Sequence, residues 1–189
     1  KNLGIKFLKK SCLVTFHPVT REKKSVNQLT QLLDSMKNYK DITFIITSPN
    51  ADTVGLKMKK VILQYVKKTK NFYFYNSLGQ LRYLSTIKAV DFVIGNSSSG
   101  IIEVPELNKI TINIGDRQKG RLMAKSIIQC KPQKKDITRK INLIYNKYKN
   151  KKIINNSNHH GKAGASLKIY NILKRVNLKK LIKKKFYDQ

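Results

Sequence analysis

A run of small polar residues in the middle of the chain has the composition of a phosphate-binding loop. The apolar segment 92–94 is followed by Gly-Asn-Ser-Ser-Ser-Gly at 95–100. This order is typical of a buried strand, a tight turn and a helix start, whose exposed N–H groups attract an anion. Small residues there would also let a ligand approach the backbone. We expect this loop to contact a phosphorylated ligand through Asn96, Ser97, Ser98, Ser99 and Gly100.

A second loop with anion-binding potential lies at 115–121, directly after another apolar segment. It carries Arg117, Lys119 and Arg121 within five residues. Such a cluster is either a solvated charged loop or an anion contact. Its position after a predicted strand favours the anion contact, because ligands bind at the carboxyl ends of parallel strands.

Two further polar groups follow predicted strands. His17 ends the segment 12–17, and Asn50 and Asp52 follow the segment 42–47. His17 is predicted to contact the ligand, although a surface or capping role is the alternative for a lone histidine. For Asn50 and Asp52, capping of the next helix is the favoured interpretation.

Glu103 and Tyr83 narrow the class of ligand. Glu103 lies one helical turn beyond the small-residue loop. A carboxylate beside a phosphate site suits a ribose diol, whose hydroxyls donate to it; the alternative is a first-turn Glu favoured by the helix dipole. Tyr83 could stack on a base or be a core aromatic residue. Together these residues predict a nucleotide-diphosphate site. The chain has neither a GxxxxGK[ST] loop nor a GxGxxG motif after a first strand, which weighs against ATPases and dinucleotide enzymes.

These residues need a scaffold that brings strand ends together, and the hydrophobic periodicity predicts one. Short apolar runs alternate with helical patterns along the chain. The fold class is therefore α/β, a Rossmann-like parallel sheet with helices on both faces and right-handed crossovers. The predicted strands are 12–17, 42–47, 72–75, 91–95, 110–114 and 126–130. The predicted helices are 24–38, 53–68, 79–88, 134–148 and 164–184, besides the one that starts after Gly100. We expect one domain over 1–189.

The formal net charge of +30 raises the question of nucleic-acid binding. Only six of the 40 basic residues are Arg, although bidentate contacts to phosphates and bases rely on Arg. The many Lys and Asn residues instead indicate a compositional bias at solvated positions. We therefore do not expect nucleic acid to be the main partner, but a weak, salt-sensitive affinity for polyanions follows from the charge in any case.

The remaining composition bears on the compartment and on metals. Cys12 and Cys130 each lie in an apolar run, as is typical of reduced core thiols in the cytoplasm. No His or Cys has a partner at metal-ligand spacing, so we expect no metal and no cofactor. The chain has no apolar run of about 18 residues and no export signal, so we expect no membrane partner. It begins with Lys rather than Met, which suggests a fragment.

Five motifs, in order, resemble the UDP-N-acetylglucosamine 2-epimerase family, and most closely the hydrolysing members that serve sialic and legionaminic acid synthesis. They are Leu13–Thr20, Ser48–Asp52, Leu78–Leu84, Gly95–Glu103 and Asn113–Arg121. The resemblance implies the GT-B architecture, of which this chain is similar only to the second, nucleotide-binding half. The N-terminal domain, which carries most of the acid/base carboxylates, is not part of this sequence.

The resemblance also implies roles for the site residues. The loop Ser97–Gly100 would bind the diphosphate, Glu103 the ribose hydroxyls, and the segment that contains Tyr83 the base. His17 and Arg121 would contact the phosphates and assist departure of UDP, with Arg117 beside them. In the family, removal of the proton at C2 and loss of UDP give a glycal, to which water adds to form the 2-epimer. The resemblance further implies a homo-oligomer when the chain is full length.

Two other functions remain open from the sequence. A GT-B glycosyltransferase shares the donor-binding domain but transfers the sugar to an acceptor. A basic nucleic-acid-binding module is the other possibility. Within the leading interpretation, the fragment alone is expected to be inactive, because only 10 of its residues are acidic and no pair of them has a spacing suited to acid/base catalysis.

Overall fold

A six-stranded, wholly parallel sheet forms the framework of the chain. The computed structural model describes residues 4–19, 24–147 and 163–177. The strand order is β3-β2-β1-β4-β5-β6, which confirms the predicted Rossmann-like α/β fold. The strands are β1 Lys10–Thr15, β2 Ile42–Thr47, β3 Phe72–Tyr75, β4 Phe92–Gly95, β5 Ile110–Ile114 and β6 Ile127–Cys130.

Helices connect the strands as the periodicity predicted. Asp52 caps one of them by accepting a hydrogen bond from the Gly55 N–H at 2.6 Å, so the capping interpretation of Asp52 is confirmed. The helices of the sheet-containing part are α1 Ser25–Met36, α2 Thr53–Lys68, α3 Gly79–Ala89, α4 Ser99–Glu106 and α5 Lys134–Lys147.

The core consists of two layers because the sheet is buried on both faces. Successive side chains of a strand point to opposite faces, so Cys12 and Val14 join one cluster and Leu13 joins the other. On the first face, α1, α2 and α5 contribute residues such as Leu33, Met58 and Ile141; on the second, α3 and α4 contribute Ile87, Val104 and others. This double burial explains why every residue of β2 and β5 is buried.

The strand order reverses between β1 and β4, which lie side by side with Thr15 opposite Gly95. In open α/β sheets this switch point opens a crevice at the carboxyl ends of the strands, where ligands bind. Gly95 has φ +149°, and a Cβ on it would lie 1.9 Å from the Thr15 carbonyl oxygen. A side chain therefore cannot be accommodated where these two strands end.

The predicted boundaries of the first strand were wrong. We expected β1 to span 12–17, but it spans Lys10–Thr15, because Phe16 and His17 leave the sheet before Pro18.

Cys12 and Cys130 are buried free thiols, as predicted. Among the described residues, no helix is both long and apolar enough to cross a membrane.

The chain divides into two compact units, residues 1–159 and 160–189. The second contains α6, Ala165–Arg175, which follows Gly164 with φ +98°. The predicted helix 164–184 is confirmed over the residues of α6, and residues 178–184 lie outside the described ranges. That α6 and the sheet form one domain stays a prediction.

Candidate functional site

Three loops that carry predicted site residues meet at the carboxyl edge of the sheet. His17 follows β1, Asn96–Gly100 follow β4, and the loop with Arg117 and Arg121 follows β5. These strands are neighbours in the order β1-β4-β5, so the switch point lies among the three loops. The sequence prediction that these segments share one edge is confirmed by the topology.

Asn96 connects the three loops. Its side-chain amide forms two hydrogen bonds with the backbone of His17: Oδ1 accepts from the His17 N–H at 2.7 Å, and Nδ2 donates to the His17 carbonyl at 2.8 Å. The Asn96 carbonyl accepts from Arg117 Nη1 at 3.1 Å and from Gln118 Nε2 at 2.8 Å. The Asn96 N–H donates to the Thr15 carbonyl at 3.2 Å. Since both polar atoms of its amide are bonded to His17 and Asn96 is only 1% exposed, we assign its side chain to holding His17.

The imidazole of His17 is kept neutral by its surroundings. Burial lowers the pKa of His17 below 6.5, and the positive charge of Arg117 lowers it further, against an opposing effect of Asp52. Its Nδ1 is buried and has no hydrogen-bond partner among the described residues. Because a buried N–H without an acceptor is rarer than an unpaired acceptor, the proton of the neutral ring belongs on Nε2. His17 can therefore donate one hydrogen bond to a ligand through Nε2–H.

The small-residue loop forms the first turn of α4. The Gly100 N–H donates to the Ser97 carbonyl, the Ile101 N–H donates to the Ser98 carbonyl, and the Ser99 N–H donates weakly to Ser97 Oγ. The N–H groups of Ser97 and Ser98 come before the first of these helical hydrogen bonds in the chain. Together with the positive end of the helix dipole they offer donors to an anion.

The two glycines of this loop allow close packing of the backbone. A Cβ on Gly100 would lie 2.8 Å from Thr111 Cγ2, so this glycine lets α4 pack closely on β5. The space beside Gly95 is likewise occupied, by Thr15. These contacts concern only the side on which a Cβ would lie. That the small residues let a ligand approach the backbone stays a prediction for the whole loop, in which Ser97 and Ser98 are half-buried.

Arg117 and Arg121 give the edge its positive field. Arg117 is half-buried, and its pKa is lowered by burial and then by the charge of Arg121. Two neighbouring guanidinium groups repel each other, and a ligand with more than one negative charge relieves this repulsion. A diphosphate has this character.

Tyr83 and Glu103 flank the edge from the helices on the second face. The Tyr83 hydroxyl lies 3.3 Å from Thr15 Oγ1, which is 3.0 Å from Thr47 Oγ1. The ring also packs against the core cluster that contains Leu13. Both alternatives for Tyr83 thus have a physical basis, because the ring is half-buried. Glu103 is exposed on α4, where its carboxylate is accessible to a ligand.

Gln118 was missed by the sequence interpretation. It lies between the two arginines that were singled out, yet it is as deeply buried as Asn96. Only its place within the loop 115–121 could have drawn attention to it, because a buried Gln in a charged loop has no sequence signature. Within the described ranges, no group of three or more His, Cys, Asp or Glu side chains could hold a metal ion.

Comparisons with known proteins identify the family of the chain. Residues 2–174 match the family described as UDP-N-acetylglucosamine 2-epimerase. Polysialic acid biosynthesis protein P7 of Escherichia coli is 38% identical over 96% of this chain and 47% of its own length. GDP/UDP-N,N'-diacetylbacillosamine 2-epimerase (hydrolyzing) of Campylobacter jejuni is 40% identical over 68% of this chain and 34% of its own length.

The fold has a counterpart among solved structures. The structure of S. aureus MnaA with UDP superposes with a TM-score of 0.71 at 17% identity, over 96% of this chain and 48% of that chain. At this identity the likeness concerns the fold. The chain thus spans about half the length of the relatives it matches, at 47% of the Escherichia coli protein and 48% of the S. aureus chain.

Proposed function

Because the chain belongs to the UDP-N-acetylglucosamine 2-epimerase family, we propose that it is the nucleotide-binding half of a hydrolysing nucleotide-sugar 2-epimerase. In this proposal the chain is the second domain of a GT-B enzyme and holds the UDP of a UDP-sugar. The observation that carries it is the convergence of His17, the Ser97–Ser98 donors and Arg117 at the switch point of the sheet.

The proposed contacts follow the geometry of the edge. The diphosphate lies among the N–H groups of Ser97 and Ser98, the Ser99–Gly100 turn of α4, and the guanidinium groups of Arg117 and Arg121. Glu103 accepts hydrogen bonds from the ribose hydroxyls, and the ring of Tyr83 lies against the base. Asn96 belongs to the site as the residue that holds His17, rather than as a direct ligand.

The chemistry that this half supplies is the departure of UDP. Removal of the C2 proton places an electron pair between C1 and C2 while the C1–O bond breaks and UDP leaves, which gives a glycal. The developing charge on the phosphate oxygen is stabilised by the two arginines, and the neutral His17 donates its Nε2 hydrogen bond there. Water then adds at C1 and a proton at C2, which yields the free 2-epimer.

The base that removes the C2 proton belongs, in this proposal, to the other half of the enzyme. At this edge Asp52 is used as a helix cap and Glu103 is assigned to the ribose. We therefore propose that the chain alone binds UDP weakly and does not turn over substrate. We also propose a cytoplasmic homo-oligomer for the full-length enzyme, supported by the two free buried thiols and by the family resemblance, and checked by sedimentation of the full-length chain.

A calorimetric titration with UDP tests the proposal. We expect saturable binding to the wild-type chain, and at least about a tenfold loss of affinity in Glu103→Ala, since hydrogen bonds to a charged group contribute about 1.5–3 kcal/mol. Glu106→Ala is the matched control, because Glu106 is an exposed carboxylate on the same helix, and it should bind UDP as the wild type does.

A ligand lacking the 2′-hydroxyl gives a second control. Deoxyuridine diphosphate should bind more weakly than UDP to the wild type, and Glu103→Ala should bind the two ligands nearly equally. Absence of saturable binding at millimolar UDP, with Glu103→Ala behaving as the wild type, would refute the proposal. Product analysis of the full-length enzyme separates an epimerase, which releases a free 2-epimer, from a glycosyltransferase, which forms a glycoside.

A further inference from the structure

We infer that Asn96, together with Gln118, is a positioning residue that fixes the ligand-binding groups of three loops relative to one another. This inference rests on the proposed function, because it concerns the same UDP site. It gives Asn96 and Gln118 a task that requires no contact with the nucleotide.

The amide of Asn96 acts on the backbone of His17 rather than on its ring. Its oxygen accepts from the His17 N–H at 2.7 Å and its nitrogen donates to the His17 carbonyl at 2.8 Å. This pair of bonds holds the His17 backbone in one orientation just past the end of β1. The imidazole then has only its own side-chain rotations left, so the direction of Nε2 is restricted from the backbone outward.

The backbone carbonyl of Asn96 contacts the loop after β5. Arg117 Nη1 donates to it at 3.1 Å and Gln118 Nε2 at 2.8 Å. Arg117 therefore has part of its guanidinium committed to the protein while the remaining N–H groups stay available to a ligand. A shift of the Asn96 peptide would move His17 and Arg117 together.

The buried amide of Gln118 is hydrogen-bonded through only one of its two polar atoms. It is 1% exposed, its Nε2 is bonded to Asn96, and its Oε1 is buried without a partner among the described residues. A buried unpaired acceptor destabilises the folded state. A Gln at this position therefore lowers the stability of the fold, and we infer that its role is the Nε2 bond that places Asn96.

Stability and ligand binding can therefore be separated experimentally. Gln118→Met keeps the length of the side chain and removes both the bond to Asn96 and the unpaired oxygen. The variant should unfold at about the same urea concentration as the wild type, because the two losses offset each other. It should nevertheless bind UDP about threefold more weakly, because Asn96 and Arg117 are less well fixed.

Asn96→Asp is expected to have a larger effect on UDP binding than Gln118→Met. It keeps the acceptor for the His17 N–H but places a second oxygen against the His17 carbonyl. Asn71→Asp is the matched control: Asn71 is also buried, and its Nδ2 donates to the carbonyls of Tyr39 at 2.8 Å and Ile42 at 2.5 Å. These contacts precede β2 and β3, at the amino edge of the sheet. Both variants introduce a buried carboxylate, but only one is beside the site.

The test compares UDP with uridine, which lacks the phosphates. Asn96→Asp should lose at least about tenfold in UDP affinity and less than about twofold in uridine affinity, because His17 and Arg117 face the phosphates. Asn71→Asp should leave the ratio of the two affinities unchanged. An unchanged ratio in folded Asn96→Asp and Gln118→Met would overturn the inference. If Asn96→Asp does not fold, the Gln118→Met ratio decides.

A ligand-free measurement separates this inference from the proposed function. NMR titration of the His17 ring should show a higher pKa in Asn96→Asp than in the wild type, and Gln118→Met should shift the amide resonances of His17, while Asn71→Asp changes neither. These results support the positioning role even if the wild type binds no UDP, in which case only the proposed function fails. Unchanged His17 resonances in both site variants would overturn the positioning role, whatever UDP does.

Discussion

At the scale of single residues, much of the polar chemistry at the sheet edge is directed at the protein itself. The Asn96 amide holds the His17 backbone, and the Tyr83 hydroxyl meets Thr15. Such bonds fix the groups that remain free, namely the His17 ring and the outer N–H groups of Arg117. Preorganisation of this kind lowers the cost of ordering side chains when a ligand binds.

Tyr83 provides a direct test of this distinction between groups bonded within the protein and groups left free for a ligand. Its hydroxyl is bonded to Thr15, so only the ring is available to a base. Tyr83→Phe should lower the free energy of unfolding by about 1 kcal/mol and leave UDP affinity within about twofold of the wild type. Tyr83→Ala should lower UDP affinity at least about tenfold, as expected for loss of a base-stacking platform.

Urea denaturation and calorimetry on the two variants check this prediction. Tyr75→Phe is a suitable control for the loss of a phenol, because Tyr75 ends β3, which is separated from β4 by β2 and β1. A large loss of UDP affinity in Tyr83→Phe would contradict it and would assign the hydroxyl to the ligand. Equal UDP binding by Tyr83→Ala and the wild type would make Tyr83 a core residue alone.

The sequence was sufficient to identify candidate site residues, but not to predict which groups their side chains contact. His17, Arg117 and the loop 95–100 were identified because of where they follow apolar runs. The hydrogen bonds of Asn96 to the His17 backbone could not be predicted, because the sequence does not show whether an Asn side chain faces a ligand or a neighbouring segment of backbone. Gln118 was missed for the same reason.

At the scale of elements, the closest approach in the site is that of β4 to β1. Gly95 is opposite Thr15 in the register and has φ +149°. The next residue, Asn96, donates from its N–H to the same Thr15 carbonyl that a Cβ on Gly95 would strike. The end of β4 therefore controls both the packing of two strands and the direction in which Asn96 leaves the sheet.

Gly95→Ala should destabilise the protein by at least about 3 kcal/mol, because the methyl group overlaps backbone atoms that cannot move independently of the sheet. Gly79→Ala is the control: Gly79 also has a positive φ, +62°, but a Cβ on it would meet nothing within 4 Å. It should cost only about 1 kcal/mol for the left-handed conformation.

Thermal or urea unfolding of both variants measures the difference. A loss in Gly95→Ala no larger than that in Gly79→Ala would mean that β1 and β4 separate easily at this edge. Only Gly95 is in contact with Thr15, and its φ of +149° also lies outside the left-handed helical region that Gly79 occupies. The difference between the two variants therefore measures the close approach together with this additional strain.

Elements were predicted well where the sequence pattern has clear limits. β2, β3, β5 and α2 have the predicted bounds, because a continuous apolar or aromatic run, or a strongly periodic segment, leaves little choice of structure. The end of β1 was misplaced, because Phe16 and His17 continue the β-favouring composition while the chain already turns toward Pro18. Tertiary hydrogen bonds to Asn96, which local sequence does not encode, determine that turn.

At the scale of the whole molecule, the net charge of +30 is far larger than the site requires. The site uses two arginines, while lysines also lie elsewhere on the surface. Lys40, Lys68 and Lys70 line a groove together with Asn71 and Tyr73. These residues lie before β2 and at the start of β3, at the amino edge of the sheet, whereas the candidate site lies at the carboxyl edge. This lysine-lined groove and the candidate site thus lie at opposite edges of the sheet.

This separation predicts that polyanion binding and UDP binding respond differently to salt and to mutation. Binding of a short single-stranded DNA, followed by fluorescence anisotropy, should weaken steeply with salt and be lost by about 0.3 M, because diffuse lysine contacts depend on counterion release and are screened. The double substitution of Lys68 and Lys70 by Ala should weaken DNA binding and leave UDP affinity unchanged. Arg117→Ala should do the reverse.

The outcome distinguishes a compositional excess of lysine from a nucleic-acid site. DNA affinity that persists above about 0.3 M salt would require hydrogen-bonded contacts in addition to counterion release, and would contradict the compositional interpretation. UDP affinity should change much less over the same range, because the proposed diphosphate site is made of directed N–H donors at a half-buried edge, where charges are less screened than on the open surface.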